Sequence, residues 1–151
     1  MTASRRPAGG FTLVELVMVI VVLGALAAFA LPRLVDVTAF RVRAYADELA
    51  AQTMAMHRLA LAQRRPVTLT LTPSGASFAY AAGGSLLSLP CPAGTSPCIA
   101  EAGTRSATFN AANGGRTTTS SGGALPVTIT GSDVTLTYQI ESETGLFRTV
   151  P

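Results

Sequence analysis

The side chain with the clearest chemical requirement is Glu15, a carboxylate inside an otherwise apolar run near the N-terminus. The run extends from Phe11 to Leu31, and only Thr12 and Glu15 interrupt its apolar surface. As an α-helix it rises ~30 Å, the thickness of the hydrocarbon core of a bilayer. An unpaired carboxylate there costs roughly 2.5–3.5 kcal/mol, and a neighbouring ammonium reduces that cost. Glu15 therefore requires a positive partner within a membrane or a bundle of helices.

The residues around this carboxylate, Gly10-Phe11-Thr12-Leu13-Val14-Glu15, resemble the processing motif of type IV prepilins and type II secretion pseudopilins. The resemblance implies that a prepilin peptidase cleaves after Gly10 and that Phe11 becomes the N-methylated first residue. It also implies that Glu15 pairs with the N-terminal amine of a neighbouring subunit. The first ten residues would then be a leader that the mature protein lacks.

Two later features extend the resemblance. Gly24 and Pro32 fall where pilins often carry residues that loosen or kink the helix, and proline removes one backbone hydrogen bond. The stretch from Arg58 to Leu71 is similar to the end of the long helix and the first strand in one group of the family. That group comprises the GspH/FimT minor pseudopilins and minor pilins.

Two other interpretations of the N-terminal run are open. Ala28-Phe29-Ala30 would suit the cleavage site of a secretory signal peptide, with Arg5 and Arg6 as its basic N-terminal region. The run could also be a plain single-pass anchor. Neither interpretation accounts for Glu15, which favours the prepilin motif. Arg5 and Arg6 also favour a cytoplasmic N-terminus.

Cys91 and Cys98 enclose the short turn-forming segment Pro-Ala-Gly-Thr-Ser-Pro. If the segment lies outside the cytoplasmic membrane, its compartment permits a disulfide, and closing so small a loop would stabilise the fold by about 2–3 kcal/mol. A metal site would need further soft ligands, and redox-active pairs usually lie closer in sequence. A structural disulfide is favoured, with free thiols and metal or redox chemistry as alternatives.

No arrangement of residues points to catalysis. The single histidine, His57, is interpreted as a solvated or partly covered helix residue. The serines and carboxylates do not follow the spacing of a triad or a carboxylate pair, and there is no phosphate-binding loop or dinucleotide fingerprint. The sequence therefore predicts a protein that is not an enzyme, with no cofactor and no metal.

Nucleic acid is the more serious alternative partner. Some FimT-like minor pilins bind DNA through a Gly-Arg-x-Arg element near the C-terminus, and this chain has Gly145-Leu146-Phe147-Arg148 there. Leucine replaces the first arginine, and two glutamates lie just upstream. Arg105 and Arg116 are the other candidates for a basic patch with Arg148. Because phosphate binding requires several cations together, nucleic acid is predicted to be an unlikely partner.

The overall charge adds little support for a polyanionic partner. All 11 basic residues are arginines, opposed by 8 acidic residues, and the net charge is +3. Cleavage after Gly10 would remove Arg5 and Arg6 and lower the net side-chain charge from +3 to +1. The length of 151 residues leaves room for one folded domain beyond the N-terminal helix.

Residues 32–65 are predicted to continue the first helix as an amphipathic helix. An apolar residue recurs every seven positions, at Val35, Val42, Leu49 and Met56. Small or apolar residues lie four positions after each of them, at Ala39, Ala46, Thr53 and Ala60. This stripe predicts packing against a sheet. Arg64-Arg65-Pro66 is predicted to end the helix.

From Val67 onward, the alternation of apolar and polar residues predicts an antiparallel β-sheet. The predicted strands are residues 67–71, 76–80, 85–89, 104–109, 127–130, 134–140 and 146–150. The stretch from Asn110 to Ala124, rich in Gly, Ser, Thr and Asn, is predicted to be a flexible loop.

Together these features predict an α+β, pilin-like fold in which a long N-terminal helix packs on a C-terminal antiparallel β-sheet. The predicted segments are a cleaved leader (1–10), a transmembrane and filament-core helix (11–31), its amphipathic continuation (32–65) and the sheet domain (66–151).

The resemblance implies a structural minor subunit of a type II secretion pseudopilus or a type IV pilus. A filament-borne receptor for DNA uptake is the alternative. The implied partners are other pilin or pseudopilin subunits, prepilin peptidase and the inner-membrane assembly platform. The implied location is the bacterial inner membrane, with the N-terminus cytoplasmic and the sheet domain periplasmic, and then a periplasmic or surface filament.

Overall fold

The computed structural model of the protein describes residues 11–34, 37–131 and 133–150, and in the first of these ranges it describes side chains as far as Ala27. The chain divides into two compact units, Met1–Asp36 and Val37–Pro151. The first contains helix α1 (Leu13–Leu34). The second contains helix α2 (Val37–Gln63) and eight strands. The architecture is α+β, as the sequence predicts.

Helix α2 packs on the strands through the predicted stripe. Its buried residues are Val42, Tyr45, Ala46, Leu49, Thr53 and Ala60. Met56 is half-buried, and Val35 lies outside the described residues. Burial of such a stripe supplies most of the stability of a helix in a folded protein. The predicted amphipathic helix is therefore confirmed over the part of the chain that α2 covers.

The C-terminal end of α2 is capped by two consecutive arginines. The Arg64 N–H donates to the Leu61 carbonyl at 3.2 Å, and the Arg65 N–H donates to the Ala60 carbonyl at 3.1 Å. This pair of bonds is a Schellman motif, which requires a residue in the left-handed region after the helix. Arg64 occupies that position with φ 51°, although glycine adopts it at lower cost.

The strands form two antiparallel sheets, whereas the sequence predicts one. The five-stranded sheet has the order β3-β2-β1-β4-β5. It consists of β1 (Val67–Thr72), β2 (Gly75–Tyr80), β3 (Ser85–Pro90), β4 (Arg105–Ala111) and β5 (Arg116–Thr119). The three-stranded sheet has the order β6-β7-β8. It consists of β6 (Leu125–Thr130), β7 (Thr135–Ile140) and β8 (Phe147–Thr149). All seven predicted strands are present among these.

The prediction that Asn110 to Ala124 forms a flexible loop is wrong. Strand β4 continues through Ala111, and β5 pairs antiparallel with it. The polar composition of this stretch suggests a loop, but Thr117 is buried within β5. Pairing with a neighbouring strand therefore outweighs the low strand preference of the local sequence.

Two isolated bridges attach the sheets to segments outside their strands. Ile99 pairs with Ile129 of β6, and Thr117 of β5 pairs with Glu143 in the turn after β7. The sheets share one core with α2, because the largest fully buried side chains come from all three layers. They include Leu49, Leu69, Leu71, Phe78, Ile99, Phe109, Leu125, Ile129 and Ile140.

Candidate functional site

The predicted processing and assembly residues lie at the start of α1. Gly10 is outside the described residues, and Phe11 precedes the helix with 77% of its surface exposed. The Glu15 N–H donates to Thr12 Oγ1 at 3.2 Å, which is one half of a capping box. The helix therefore begins next to the motif, and Glu15 lies in its first turn, where the helix dipole favours a carboxylate.

The Glu15 side chain shares one face of α1 with apolar residues. It lines a shallow groove together with Met18, Val19, Val22 and Leu23, which follow it at the three-, four-, seven- and eight-residue spacing of a helix face. Every large apolar side chain from Phe11 to Leu26 is exposed. A helix that is apolar around its whole circumference is stable where lipid or protein surrounds it.

The two predicted kink positions, Gly24 and Pro32, both lie within α1. No atom lies within 4 Å of the place where a Cβ on Gly24 would stand, so the space around it does not by itself require glycine. A kink at either residue stays a prediction. Among the described residues, no helix combines the length and the apolar character that crossing a membrane requires.

Cys91 and Cys98 form a disulfide, and their Cα atoms are 5.6 Å apart. The closed loop is attached to the turn between β1 and β2. The Cys91 N–H donates to the Ser74 carbonyl at 2.9 Å, and the Cys98 N–H donates to the Pro73 carbonyl at 3.1 Å. Because Ile99 then pairs with β6, the disulfide loop holds the two sheets together. No group of three or more His, Cys, Asp or Glu residues suited to a metal occurs in the described part of the chain.

Each arginine predicted as a nucleic-acid contact forms an ion pair with a glutamate. The pairs are Arg105 with Glu101 at 2.9 Å, Arg116 with Glu143 at 2.5 Å, and Arg148 with Glu141 at 2.5 Å. The hydrogen bond and charge of Arg116 lower the pKa of the Glu143 carboxyl below its usual value, so that pair is ionised at neutral pH. A phosphate would have to displace a carboxylate at each of these arginines.

The glycine of the Gly145-Leu146-Phe147-Arg148 element has a packing explanation. Gly145 has φ +69°, and a Cβ there would collide with the Thr117 hydroxyl. Phe147 is buried and stacks on Tyr138, with ring centroids 5.0 Å apart. The close approach of this turn to β5 therefore requires glycine. Packing accounts for this residue, and a nucleic-acid contact is not needed to explain it.

His57 packs against a buried aromatic ring. Its imidazole centroid lies 5.4 Å from that of Phe109, and partial burial lowers its pKa. This agrees with the interpretation of His57 as a partly covered helix residue, with the neutral imidazole favoured at pH 7.

The comparisons with known proteins concern the N-terminal motif and one relative. Residues 5–31 match the family described as the prokaryotic N-terminal methylation motif. The chain is also 42% identical over 60 residues to the type IV narrow pilus major component PilA5 of Thermus thermophilus. That alignment covers 40% of this chain and 52% of the relative, so the chain spans about half the length of the curated relative that it matches. No solved structure matches the chain.

The matched motif contains the predicted cleavage pair Gly10-Phe11 and the carboxylate Glu15. It coincides with the start of α1 and with the exposed apolar surface that follows. The second unit combines a helix with antiparallel sheets, as the resemblance implies. On these grounds, the N-terminal part of the chain is similar to that of type IV pilins.

Proposed function

We propose that the protein is a structural subunit of a type IV pilus or a type II secretion pseudopilus. The proposal depends chiefly on the exposed apolar surface of α1 and on its single carboxylate, Glu15, which both lie within the matched methylation motif. In a filament, neighbouring subunits would cover this surface, and one of them would supply the ammonium that pairs with Glu15. Helix α2 and the two sheets would form the outer part of the subunit.

A minor subunit of the GspH/FimT group is the more specific form of this proposal. It rests on the similarity of residues 58–71 to that group. The relative from Thermus thermophilus is a major pilus component and does not add support for a minor subunit. Proteins of the superfamily are structural subunits rather than enzymes, which agrees with the prediction that no residue is catalytic.

The route to the filament follows from the same features. The precursor would enter the inner membrane through residues 11–31, with its N-terminus in the cytoplasm and the second unit in the periplasm. Prepilin peptidase would cleave after Gly10, Phe11 would be methylated, and the assembly platform would move the subunit into the filament. The Cys91–Cys98 disulfide suits an oxidising compartment.

The three candidate arginines give little support for a DNA receptor. Arg105, Arg116 and Arg148 are each paired with a carboxylate, and the glycine of the C-terminal element serves packing. Non-specific DNA binding needs several cations free to neutralise phosphates. We therefore favour a structural role in the filament over DNA capture.

Intact-mass and N-terminal peptide analysis of protein extracted from membranes tests the processing step. We expect the mature chain to begin at Phe11 and to carry an N-methyl group. Gly10→Val should leave the leader attached, whereas the matched control Gly9→Val should be processed normally. A mature start at Leu31 would support the signal-peptide interpretation and contradict this proposal.

A further inference from the structure

The beginning of α2 presents an aromatic side chain away from the core. Phe40 is 71% exposed, and Val37, one turn earlier, is 48% exposed. Each helical residue turns about 100° relative to the previous one, which places Phe40 nearly opposite Val42 and Leu49 in the buried stripe. An aromatic residue at the centre of an exposed helix face gains no stability from the fold of its own unit.

Two arginines flank this aromatic residue. Arg41 and Arg43 are exposed, and the ion pairs formed within the described ranges do not include them. The next charged residues on α2 are Asp47 and Glu48. The outward surface of α2 therefore changes from apolar and basic to acidic within about three turns.

The position of these residues in the sequence is as informative as their types. Only five residues lie between Phe40 and Leu34, the last residue of α1. Residues 33–46 contain three arginines and one acidic residue, Asp36. The stretch that follows the proposed membrane segment therefore carries a net positive charge.

We propose that Val37, Phe40, Arg41 and Arg43 form an interfacial patch that binds phospholipid headgroups while the subunit resides in the membrane. Aromatic rings prefer the headgroup level of a bilayer, and arginines near its surface attract anionic lipids. The inference rests on the proposed function, because it requires residues 11–31 to lie in the bilayer. A neighbouring protein subunit is the competing occupant. The position of Arg41 and Arg43 favours lipid, because they lie in the turns of α2 that are nearest in sequence to the proposed membrane segment.

The chain contains no tryptophan, so a single introduced tryptophan reports the environment of one position. Three variants of the full processed chain are placed in phosphatidylcholine vesicles, with and without phosphatidylglycerol, that contain lipid brominated near the headgroup. Phe40→Trp tests the patch, and Leu26→Trp tests the apolar run. Leu61→Trp, exposed near the other end of α2, is the matched control. We expect quenching of Phe40→Trp to exceed that of Leu61→Trp by about twofold or more.

The outcomes separate the two proposals. Quenching of Leu26→Trp, with Phe40→Trp quenched no more than Leu61→Trp, would overturn the interfacial patch and leave membrane insertion intact. Absence of quenching at Leu26→Trp would overturn both. Blue-shifted emission from Phe40→Trp without lipid quenching would show that a protein neighbour covers the patch, which also overturns it.

Replacement of both arginines tests the charge of the patch. The two substitutions Arg41→Gln and Arg43→Gln are introduced into Phe40→Trp. The ratio of headgroup-bound to unbound patch in phosphatidylglycerol vesicles, read from the quenching, should then fall by about fivefold per arginine. Arg58→Gln and Arg64→Gln, farther along the chain, should leave the ratio unchanged. An equal effect of the two pairs of substitutions would contradict headgroup recognition by the patch.

Discussion

The Asn110 side chain donates a hydrogen bond from Nδ2 to the carbonyl oxygen of Ala60, 2.9 Å away. Its Oδ1 accepts a hydrogen bond from the Gly115 N–H, also at 2.9 Å. Both Asn110 and Ala60 are buried. One amide therefore joins the last turn of α2 to the turn between β4 and β5, the stretch for which the sequence predicts a flexible loop.

Asn110→Ala should lower the free energy of unfolding by about 1–3 kcal/mol, because it leaves buried backbone groups without this partner. Asn113→Ala is the matched control. Both asparagines have positive φ, 53° and 59°, but Asn113 is exposed and its loss should cost less than about 1 kcal/mol. Denaturant unfolding of the detergent-solubilised chain measures both values, and equal losses would contradict a bridging role for Asn110.

Arg64→Gly should raise the free energy of unfolding by about 0.5–1 kcal/mol, because glycine adopts the left-handed conformation of the cap without steric cost. Arg65→Gly should bring no gain. Its guanidinium lies 4.0 Å from the centroid of the Tyr80 ring, and that contact would be lost. Thermal unfolding of the two variants provides the comparison, and a loss of stability in Arg64→Gly would contradict the assignment of the cap.

Stability should decrease between pH 10 and pH 12 because of Tyr45. Burial raises the pKa of its phenol to about 12, and its hydroxyl donates to the Leu89 carbonyl at 3.1 Å. Above pH 10 the unfolded chain releases this proton while the folded chain keeps it, so the free energy of unfolding falls as pH rises. The contribution is fully present below pH 10, and its loss amounts to roughly 2–3 kcal/mol.

Tyr45→Phe should flatten this pH dependence. Tyr138→Phe serves for comparison, because burial also raises the pKa of Tyr138, although it is the less buried residue. Urea unfolding at pH 9, 10, 11 and 12 gives the slopes. An unchanged slope in Tyr45→Phe would show that another group causes the decrease.

The elements that depend on local pattern could be predicted from sequence. Strands β1 and β2 follow the alternation that begins at Val67, and α2 buries the stripe of Val42 and Leu49. Strand β5 could not be predicted, because its four residues are held by β4 and by the bridge from Thr117 to Glu143. Neither contact produces a recognisable pattern in the residues of β5 themselves.

The partners of the arginines at the candidate site could not be predicted from local sequence either. Arg116 and Glu143 are 27 residues apart, so only the fold reveals that one neutralises the other. The role of Asn110 likewise depends on the end of α2 lying against the β4–β5 turn. The motif residues Phe11, Thr12 and Glu15, in contrast, are contiguous with the start of α1, and their proposed roles follow from the sequence motif alone.

Duplex DNA binding by the full chain should be weak, with a dissociation constant above about 10 μM at ~150 mM salt. The reason is that the carboxylates of Glu101, Glu141 and Glu143 occupy the three candidate arginines. Glu141→Gln with Glu143→Gln should strengthen binding by freeing Arg116 and Arg148. Fluorescence anisotropy measures both. Submicromolar binding by the unmodified chain that is lost in Arg148→Ala would instead support the DNA-receptor alternative.

Incorporation of Glu15→Ala into filaments tests whether the Glu15 carboxylate joins neighbouring subunits. The substitution removes the carboxylate that would pair with a neighbour's N-terminal amine, and it lowers the cost of membrane insertion. We expect normal cleavage after Gly10 but strongly reduced recovery of the subunit in sheared filaments. Glu48→Ala, at an exposed position of α2, should assemble normally. Glu15→Ala recovered in filaments at the level of Glu48→Ala would contradict assembly through this carboxylate.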